Sequence, residues 1–186
     1  MSGYSESDIL KMLSNPDTQR KAFGLVVDQY SEKMYWQIRR IVLSHDDAND
    51  VLQNALLKAW KNIDTFQGDS KISTWLYRIA INESLDFTKR KKSIKTVATE
   101  GGTTEDSTVA AQLKADPYFD GNEAEALLQQ AVAMLPDVQR TVFNMRYFDG
   151  MRYSQMSEIL STSEGALKAS YHIAVKKISD FFHLRD

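Results

Sequence analysis

The chain has 186 residues, of which 42% are hydrophobic and 26% charged, a composition typical of globular proteins and not of disordered or fibrous ones. It contains no cysteine, which excludes disulfides, thiolate metal sites and cysteine nucleophiles. The net charge of −2 excludes a global basic field, so any binding to nucleic acid must rest on local patches.

The N-terminal segment and the apolar runs predict a protein that does not insert into a membrane. Residues 5–8 are Ser, Glu, Ser and Asp, where a signal peptide would have basic and then apolar residues. The longest apolar runs, residues 22–27 and 131–136, are far shorter than the roughly 20 residues that cross a bilayer. We therefore expect a cytoplasmic location.

Three helices are predicted in the first half of the chain. Apolar residues recur at steps of three and four over residues 22–42, the period of one helix face. A second helix begins at Asp46 and Asp47, whose charges suit the positive end of the helix dipole. Residues 64–70 contain turn formers and a glycine, which predicts an exposed loop. The third helix is predicted over residues 74–92 and ends with four basic residues.

The second half of the chain begins with a change of composition. Residues 93–122 are rich in Thr, Gly, Ala and Asp, which is typical of a linker. Helical periodicity resumes near Glu123, and Pro136 begins a further helix. A short helix over residues 153–160, a three-residue turn and a helix from Glu164 then give helix-turn-helix spacing. The predicted fold is all-α. It has a small helical domain over residues 1–92, a flexible linker over residues 93–122 and a second small helical domain over residues 123–186.

The helix-turn-helix has the residues that a DNA-reading helix pair needs. Its predicted interhelical core consists of Met156, Ile159, Leu167, Tyr171 and Ala174. Its predicted outward face carries Lys168, Ser170, His172 and Lys176. Any helical hairpin with a three-residue turn would show a similar pattern, so this motif alone leaves DNA binding and a purely structural hairpin both open.

The third helix and the loop before it form a local basic and aromatic patch. The cations Lys71, Arg78, Lys89, Arg90, Lys91 and Lys92 outnumber the two acidic residues there. Phe66, Trp75 and Tyr77 lie among them, and aromatic planes beside cations are what unstacked single-stranded bases require. The alternative is that Trp75 is a core residue and the lysines a solvated helix end. The Asn82 side chain either forms hydrogen bonds with a base edge or merely lies on the polar face of the third helix.

The second helix has a polar face that is either a protein-binding surface or a solvated side. Beyond its acidic N-terminal end, this face carries Asp50, Gln53, Asn54, Lys58 and Lys61. His45, Asp46 and Asp47 are adjacent but lack a third metal ligand at helical spacing, so we predict no metal site. With no phosphate-cradling glycine loop and no nucleophile elbow, the sequence predicts neither an enzyme nor a cofactor.

The same segments, taken together, resemble a known family. The segments that carry the resemblance are DVLQNALLKAW (50–60), FQGDS (66–70), TWLYRIAIN (74–82), LP (135–136), RYFDG (146–150), YSQMSEIL (153–160) and SEGALK (163–168). They are similar in kind and order to the bacterial extracytoplasmic-function sigma factors of the sigma-70 family. The resemblance covers both predicted domains and leaves out the linker and the chain ends.

The resemblance implies a promoter-recognition subunit of bacterial RNA polymerase. The first domain would bind the core enzyme and melt the minus-ten element, and the second would read the minus-thirty-five element as duplex. The residues implied for core polymerase are Asp47, Asp50, Gln53, Asn54 and Lys58. Those implied for the minus-ten element, where DNA is captured as a melted non-template strand, are Phe66, Lys71, Ser73, Trp75, Tyr77, Arg78 and Asn82. Those implied for the minus-thirty-five element are Ser163, Glu164, Lys168, Ser170, Tyr171, His172 and Lys176.

Two further expectations follow from the resemblance. An anti-sigma factor is a candidate partner besides polymerase and promoter DNA. The family usually has arginines where this chain has Ser170, Ile173 and Val175. Where this chain has Ser161, the family usually has glycine or a similar small turn residue. We therefore expect the second domain alone to bind DNA weakly, with a shallow dependence on salt. The alternative function is a stand-alone helix-turn-helix regulator that binds operator DNA as a dimer, which leaves the first domain without a role.

Overall fold

The computed structural model describes residues 4–98 and 123–184, and this part of the chain is helical and contains no strand. Its elements in order are α1 (Glu6–Leu13), α2 (Pro16–Val42), α3 (His45–Lys61), a 3₁₀ turn (Ile63–Thr65), α4 (Ile72–Ala98), α5 (Glu123–Ala133), α6 (Asp137–Tyr147), α7 (Tyr153–Leu160) and α8 (Glu164–His183). The all-α prediction is confirmed.

Two features of the backbone differ from the sequence predictions. Helix α1 was not predicted; it begins with a capping box in which Ser5 Oγ accepts from the Asp8 amide, and it buries Ile9 and Leu13. Helix α4 continues to Ala98, so residues 93–98, assigned to the linker from composition, are helical. These residues include no glycine or proline to end the helix. The rest of the predicted linker, residues 99–122, lies outside the described residues.

The first domain buries the apolar faces of α1 to α4 in one core. Helix α2 contacts α1, α3 and α4, and therefore lies at the centre of the domain. The largest side chains that this core buries completely are Val26, Met34, Ile38, Ile72 and Leu76. The packing fixes the directions in which α3 and α4 present their remaining faces to solvent.

The second domain packs α5, α6 and α8 around an aromatic stack. The Phe143 ring stacks on the rings of Tyr147 and Tyr171, with centroid distances of 5.1 and 5.7 Å and interplanar angles of 15° and 14°. Helices α7 and α8 begin at the predicted residues. Ser161 ends α7 in the left-handed conformation, with φ of 52°, and Ser163 caps α8. Glycine adopts this left-handed conformation at no steric cost, whereas a residue with a side chain adopts it less readily.

Three residues of the predicted interhelical core of the helix-turn-helix, Met156, Ile159 and Leu167, share one buried cluster, whereas Ala174 is buried in a second cluster with residues of α5 and α6. Met156, Ile159, Leu167 and Ala174 are each at most 2% exposed. Tyr171 is half-buried and packs against the apolar clusters on both sides of α8. The crossing of α7 and α8 is therefore fixed by the side chains that the sequence predicts.

The two domains are in contact. Helix α2 contacts α6, and α4 contacts α7. Ile41 of α2 and Ile81 of α4 belong to the same buried cluster as Met145 and Met156 of the second domain. No sequence pattern predicts this contact, since local periodicity marks a buried face without identifying what covers it.

Candidate functional site

Four of the proposed minus-ten residues lie along one side of α4. Lys71 directly precedes the helix, and Trp75, Arg78 and Asn82 follow at steps of four, three and four, which places them on one face. Lys71, Arg78 and Asn82 are exposed. The Trp75 ring is half-buried because it packs on the first core and lies 5.1 Å from the Phe66 ring. This face combines two cations, an amide and an aromatic pair, the groups that hold unstacked bases.

Ser73 and Tyr77 lie on another side of α4, away from these residues. Both line a cleft of about 450 Å³ between the two domains. The Tyr77 ring meets the Tyr30 ring edge-on at 6.4 Å, and burial raises the pKa of the Tyr77 hydroxyl. The structure therefore divides the minus-ten set between an open face and a covered one.

The polar face of α3 also divides into two parts. At its two ends, Lys91 Nζ donates to Asp47 Oδ2 and Lys58 Nζ donates to Glu83 Oε1, so both ends are tied to α4. Between these ion pairs, the exposed residues Asp50, Gln53 and Asn54 border a groove with Phe87, Arg90 and Ile94 of α4. Asp47 and Lys58 are therefore paired with α4, whereas Asp50, Gln53 and Asn54 keep exposed side chains along the groove.

The outer face of α8 carries an exposed strip of basic residues and histidine. Lys168, His172 and Lys176 recur at steps of four and are all exposed. The Lys168 ammonium lies 3.8 Å from the Glu164 carboxylate and 5.6 Å from the centre of the Tyr153 ring. These contacts position a cation near the N-terminal end of the helix, the part of such a helix that approaches base edges.

Two residues of the minus-thirty-five set have structural roles in the second domain. Ser163 Oγ accepts from the Ala166 amide at 3.3 Å and so caps α8. The Tyr171 ring stacks on Phe143, and burial raises the pKa of the Tyr171 hydroxyl. Ser170 is half-buried beside them. The DNA contacts of these three residues remain predictions.

A polar cluster at the domain boundary was missed by sequence reasoning. Arg40 Nη1 lies 3.0 Å from Asp149 Oδ1, and the Arg40 guanidinium lies 4.6 Å from the centre of the Phe148 ring. Asn144 Nδ2 donates to the Arg40 carbonyl at 3.1 Å. Burial raises the pKa of the Asp149 carboxyl to about 6, against the opposing effect of Arg40. In the sequence, Asp149 stands out only as a member of the segment RYFDG (146–150).

Neither a metal centre nor a membrane span is found in the described ranges. Within residues 4–98 and 123–184, no three His, Cys, Asp or Glu side chains are grouped so that they could hold a metal ion. No helix in those ranges combines the length and hydropathy needed to cross a bilayer.

Comparisons with known proteins match both domains. Residues 26–94 match the family model of Sigma-70 region 2, and residues 125–178 match that of Sigma-70, region 4. The ECF RNA polymerase sigma factor SigW of Bacillus subtilis is 35% identical over 156 residues, which cover 81% of this chain and 83% of SigW. This chain belongs to the extracytoplasmic-function sigma factors of the sigma-70 family. The resemblance of the sequence segments is confirmed.

Other relatives and solved structures agree with this family. The ECF RNA polymerase sigma-E factor of Escherichia coli K12 is 29% identical to this sigma factor over 155 residues, 81% of each chain. The sigma factor RpoE of Bartonella quintana, solved with the anti-sigma factor NepR, superposes with a TM-score of 0.72 at 22% identity, over 89% of this chain and 99% of that one. CnrH, solved with the cytosolic domain of CnrY, gives a TM-score of 0.69 at 20% identity, over 96% and 97%. At these identities the two structures show a shared fold.

Proposed function

We propose that this sigma factor initiates transcription by binding core polymerase through α3, melted minus-ten DNA through α4 and duplex minus-thirty-five DNA through α8. The observation that carries the proposal is the shared face of Lys71, Trp75, Arg78 and Asn82 on α4. It lies in the same domain as the exposed α3 residues. A single rigid domain therefore presents a protein-binding surface and a base-binding surface together.

The α4 face offers the interactions that promoter melting needs. Extruding a base from duplex DNA costs a few kcal/mol of stacking and pairing. Stacking on an aromatic ring returns about 1–3 kcal/mol per base, and Asn82 offers an amide to a base edge. Lys71 and Arg78 hold the adjacent phosphates. Binding energy alone therefore supports strand opening, without hydrolysis of ATP.

The exposed centre of α3 is proposed to dock on the clamp helices of the largest polymerase subunit. Replacing Asp50 and Gln53 with alanine is expected to weaken association with core polymerase tenfold or more, because both side chains would lie inside the interface. The fold should persist, since both are exposed. Fluorescence titration of labelled variant with bacterial core polymerase measures the affinity. Lys61→Ala, at the exposed end of the same helix, is the matched control. Wild-type affinity of the double variant would remove Asp50 and Gln53 from the interface.

The strip on α8 is proposed to hold the minus-thirty-five element through few phosphate contacts. Replacing Lys168 and Lys176 with alanine is expected to reduce the slope of log affinity against log salt by about two, because each phosphate contact contributes about 0.9. Promoter binding by the holoenzyme at several salt concentrations gives this slope. Lys177→Ala, also exposed on α8, should leave it unchanged. A double variant with the wild-type slope would show that neither lysine contacts a phosphate.

The remaining partners and the location follow from the same proposal. We propose a cytoplasmic location, because a polymerase subunit acts in the cytoplasm. An anti-sigma factor is a proposed partner, since RpoE of Bartonella quintana, a solved structure of the same fold, is bound to one. The alternative function, a stand-alone helix-turn-helix regulator, gives no role to the first domain. No observation favours this alternative over the sigma factor.

A further inference from the structure

Ile173 is an exposed isoleucine on the outer side of α8. Its side chain is 44% exposed, and it belongs to none of the three buried clusters that the described residues form. The side of α8 that carries Ile173 lies away from Leu167 and Ala174, which face the core. An isoleucine that stays largely in water adds little to the stability of the domain. Burial of this side chain by a surface from outside would be favourable.

The strip of basic residues and histidine runs beside Ile173. Ile173 lies three residues before Lys176, and Ala169 lies three residues before His172 and one turn before Ile173. All four side chains are exposed. They lie in or next to the N-terminal half of α8, the part of a recognition helix that contacts base edges. The proposed DNA-binding side of α8 therefore has an apolar part as well as a cationic one.

The first turn of α8 leaves room for close approach to this side. A Cβ atom added at Gly165 would meet no neighbouring heavy atom of the described residues within 4 Å, and Gly165 is not among the glycines with positive φ. Neither packing nor backbone conformation in the described structure therefore requires glycine there, although glycine is less favourable than alanine in a helix. Gly165 lies one turn before Ala169. The absence of its side chain lets an external surface come close to Ala169 and Ile173.

Charge complementarity points to duplex DNA as that surface. Lys168 precedes Ala169, and Lys176 follows Ile173, so positive charge lies at both ends of the apolar part. Glu164, the acidic residue of the first turn, lies 3.8 Å from the Lys168 ammonium, which compensates part of its charge. Phosphates border the major groove of DNA, and base edges form its floor. Side chains between the two lysines therefore meet base edges when the lysines meet phosphates.

We propose that α8 selects thymine in the minus-thirty-five element, because the Ile173 and Ala169 side chains contact thymine C5-methyl groups in the major groove. This inference rests on the proposed function, in which α8 binds that element as duplex. It adds the base that is selected and the residues that select it.

The major-groove edge of each base decides which side chains can select it. All four bases present hydrogen-bonding groups there, and thymine alone adds a methyl group. The side chains of Ala169 and Ile173 neither donate nor accept hydrogen bonds. Apolar contact is the interaction that they offer, and the thymine methyl group is the apolar group that distinguishes one base from the other three.

Deoxyuridine in place of thymine tests the methyl contact, because it removes the methyl group and keeps every hydrogen-bonding group of the base. Holoenzyme assembled from core polymerase and the full chain is first used to enrich duplexes from a library randomised over both promoter elements. The upstream element of the enriched DNA should contain thymine. Deoxyuridine there should weaken holoenzyme binding about fourfold for each methyl group that is buried. Deoxyuridine between the two elements is the control and should leave the affinity unchanged.

Two results would overturn the proposal. One is an enriched upstream element without thymine on either strand. The other is wild-type affinity for DNA in which deoxyuridine replaces every thymine of that element. In both cases the enriched upstream element still supports the proposed function, so this inference would fail alone. If the wild-type holoenzyme enriches no upstream sequence, the proposed role of α8 fails, and this inference fails with it.

Variants of α8 test whether Ile173 makes the contact. In Ile173→Ala, the effect of deoxyuridine at one thymine should fall from about fourfold to below about twofold. Val175→Ala is the matched control and should keep the effect, because Val175 is 41% exposed and, two residues further on, lies on another side of the helix. A loss of stability would weaken binding to thymine and deoxyuridine DNA equally, so the ratio of the two affinities reports the contact. An effect that persists at every thymine in Ile173→Ala would contradict the role of Ile173.

A change of the selected base gives an independent result. Arginine forms paired hydrogen bonds with O6 and N7 of guanine. Enrichment with the Ile173→Arg holoenzyme should therefore replace thymine by guanine at the position that loses its deoxyuridine effect in Ile173→Ala. Val175→Arg adds the same charge and should leave the base at that position unchanged. Thymine retained there by Ile173→Arg would show that Ile173 does not contact this base.

Discussion

Replacing Arg140 with alanine is expected to lower the free energy of unfolding of the second domain by about 3–5 kcal/mol. The Arg140 side chain is buried, and Nη1 donates to the carbonyls of Ala133 at 3.0 Å and Leu135 at 3.1 Å. Nη2 lies 2.8 Å from Asp137 Oδ1. The substitution leaves two carbonyls and a carboxylate without this partner at the junction of α5 and α6.

Urea denaturation of the full chain, followed by circular dichroism, measures this loss. Val138→Ala is the matched control, since Val138 lies on the same helix and is 63% exposed. Its effect is expected to stay below about 0.5 kcal/mol. If Arg140→Ala lowers the free energy of unfolding by less than about 1 kcal/mol, water replaces the hydrogen bonds of the guanidinium with little loss of stability.

Replacing Arg78 and Asn82 together with alanine is expected to reduce promoter opening roughly 100-fold, because loss of one phosphate contact and one base-edge contact removes about 3 kcal/mol. Affinity for core polymerase should change less than twofold, since neither residue belongs to the exposed centre of α3 (Asp50, Gln53 and Asn54). Both are exposed, so the domain should remain folded. Fluorescence of a base analogue in the non-template strand reports opening, and titration with core polymerase reports binding.

Two variants make this experiment specific. Lys89→Ala removes one charge from α4 about two turns beyond Asn82 and should leave opening within about threefold of wild type. Trp75→Phe keeps an aromatic ring against Phe66, whereas Trp75→Ala would also remove core packing. Equal losses of opening and polymerase binding in a folded Arg78 and Asn82 double variant would refute the separate roles of α3 and α4.

Local patterns predicted the fold where a helix has a strong apolar period and a recognisable cap. Helices α7 and α8 start at Tyr153 and Glu164 as predicted: the Gln155 side chain accepts from the Arg152 amide at the start of α7, and Ser163 caps α8. Helix α1 was missed because its eight residues, about two turns, are shorter than the window of roughly 11–18 residues over which a helical period is read. The end of α4 was missed because composition alone does not stop a helix that meets no glycine or proline.

The sequence was enough to propose which residues form the candidate site, but it indicated less about how they are arranged in space. The 3.6-residue period of the helix places Trp75, Arg78 and Asn82 on one face of α4 and turns Ser73 and Tyr77 to another. The names of the site residues by themselves do not reveal this division. The Arg40–Asp149 pair joins residues 109 positions apart in the sequence. A contact over that separation depends on tertiary packing, for which a single sequence carries no local signal.

The cluster that Ile41 and Ile81 share with Met145 also links the folding of the two halves of the chain. Each half has fewer than roughly 100 residues, a size at which a domain buries a modest share of its surface and has little stability to spare. In contact, each half is stabilised by the apolar surface that it buries against the other. Apart, each relies on its own core, and local unfolding becomes easier. Arg40→Glu should therefore shorten the lifetime of the unbound sigma factor against proteases, and assembly into polymerase should restore it.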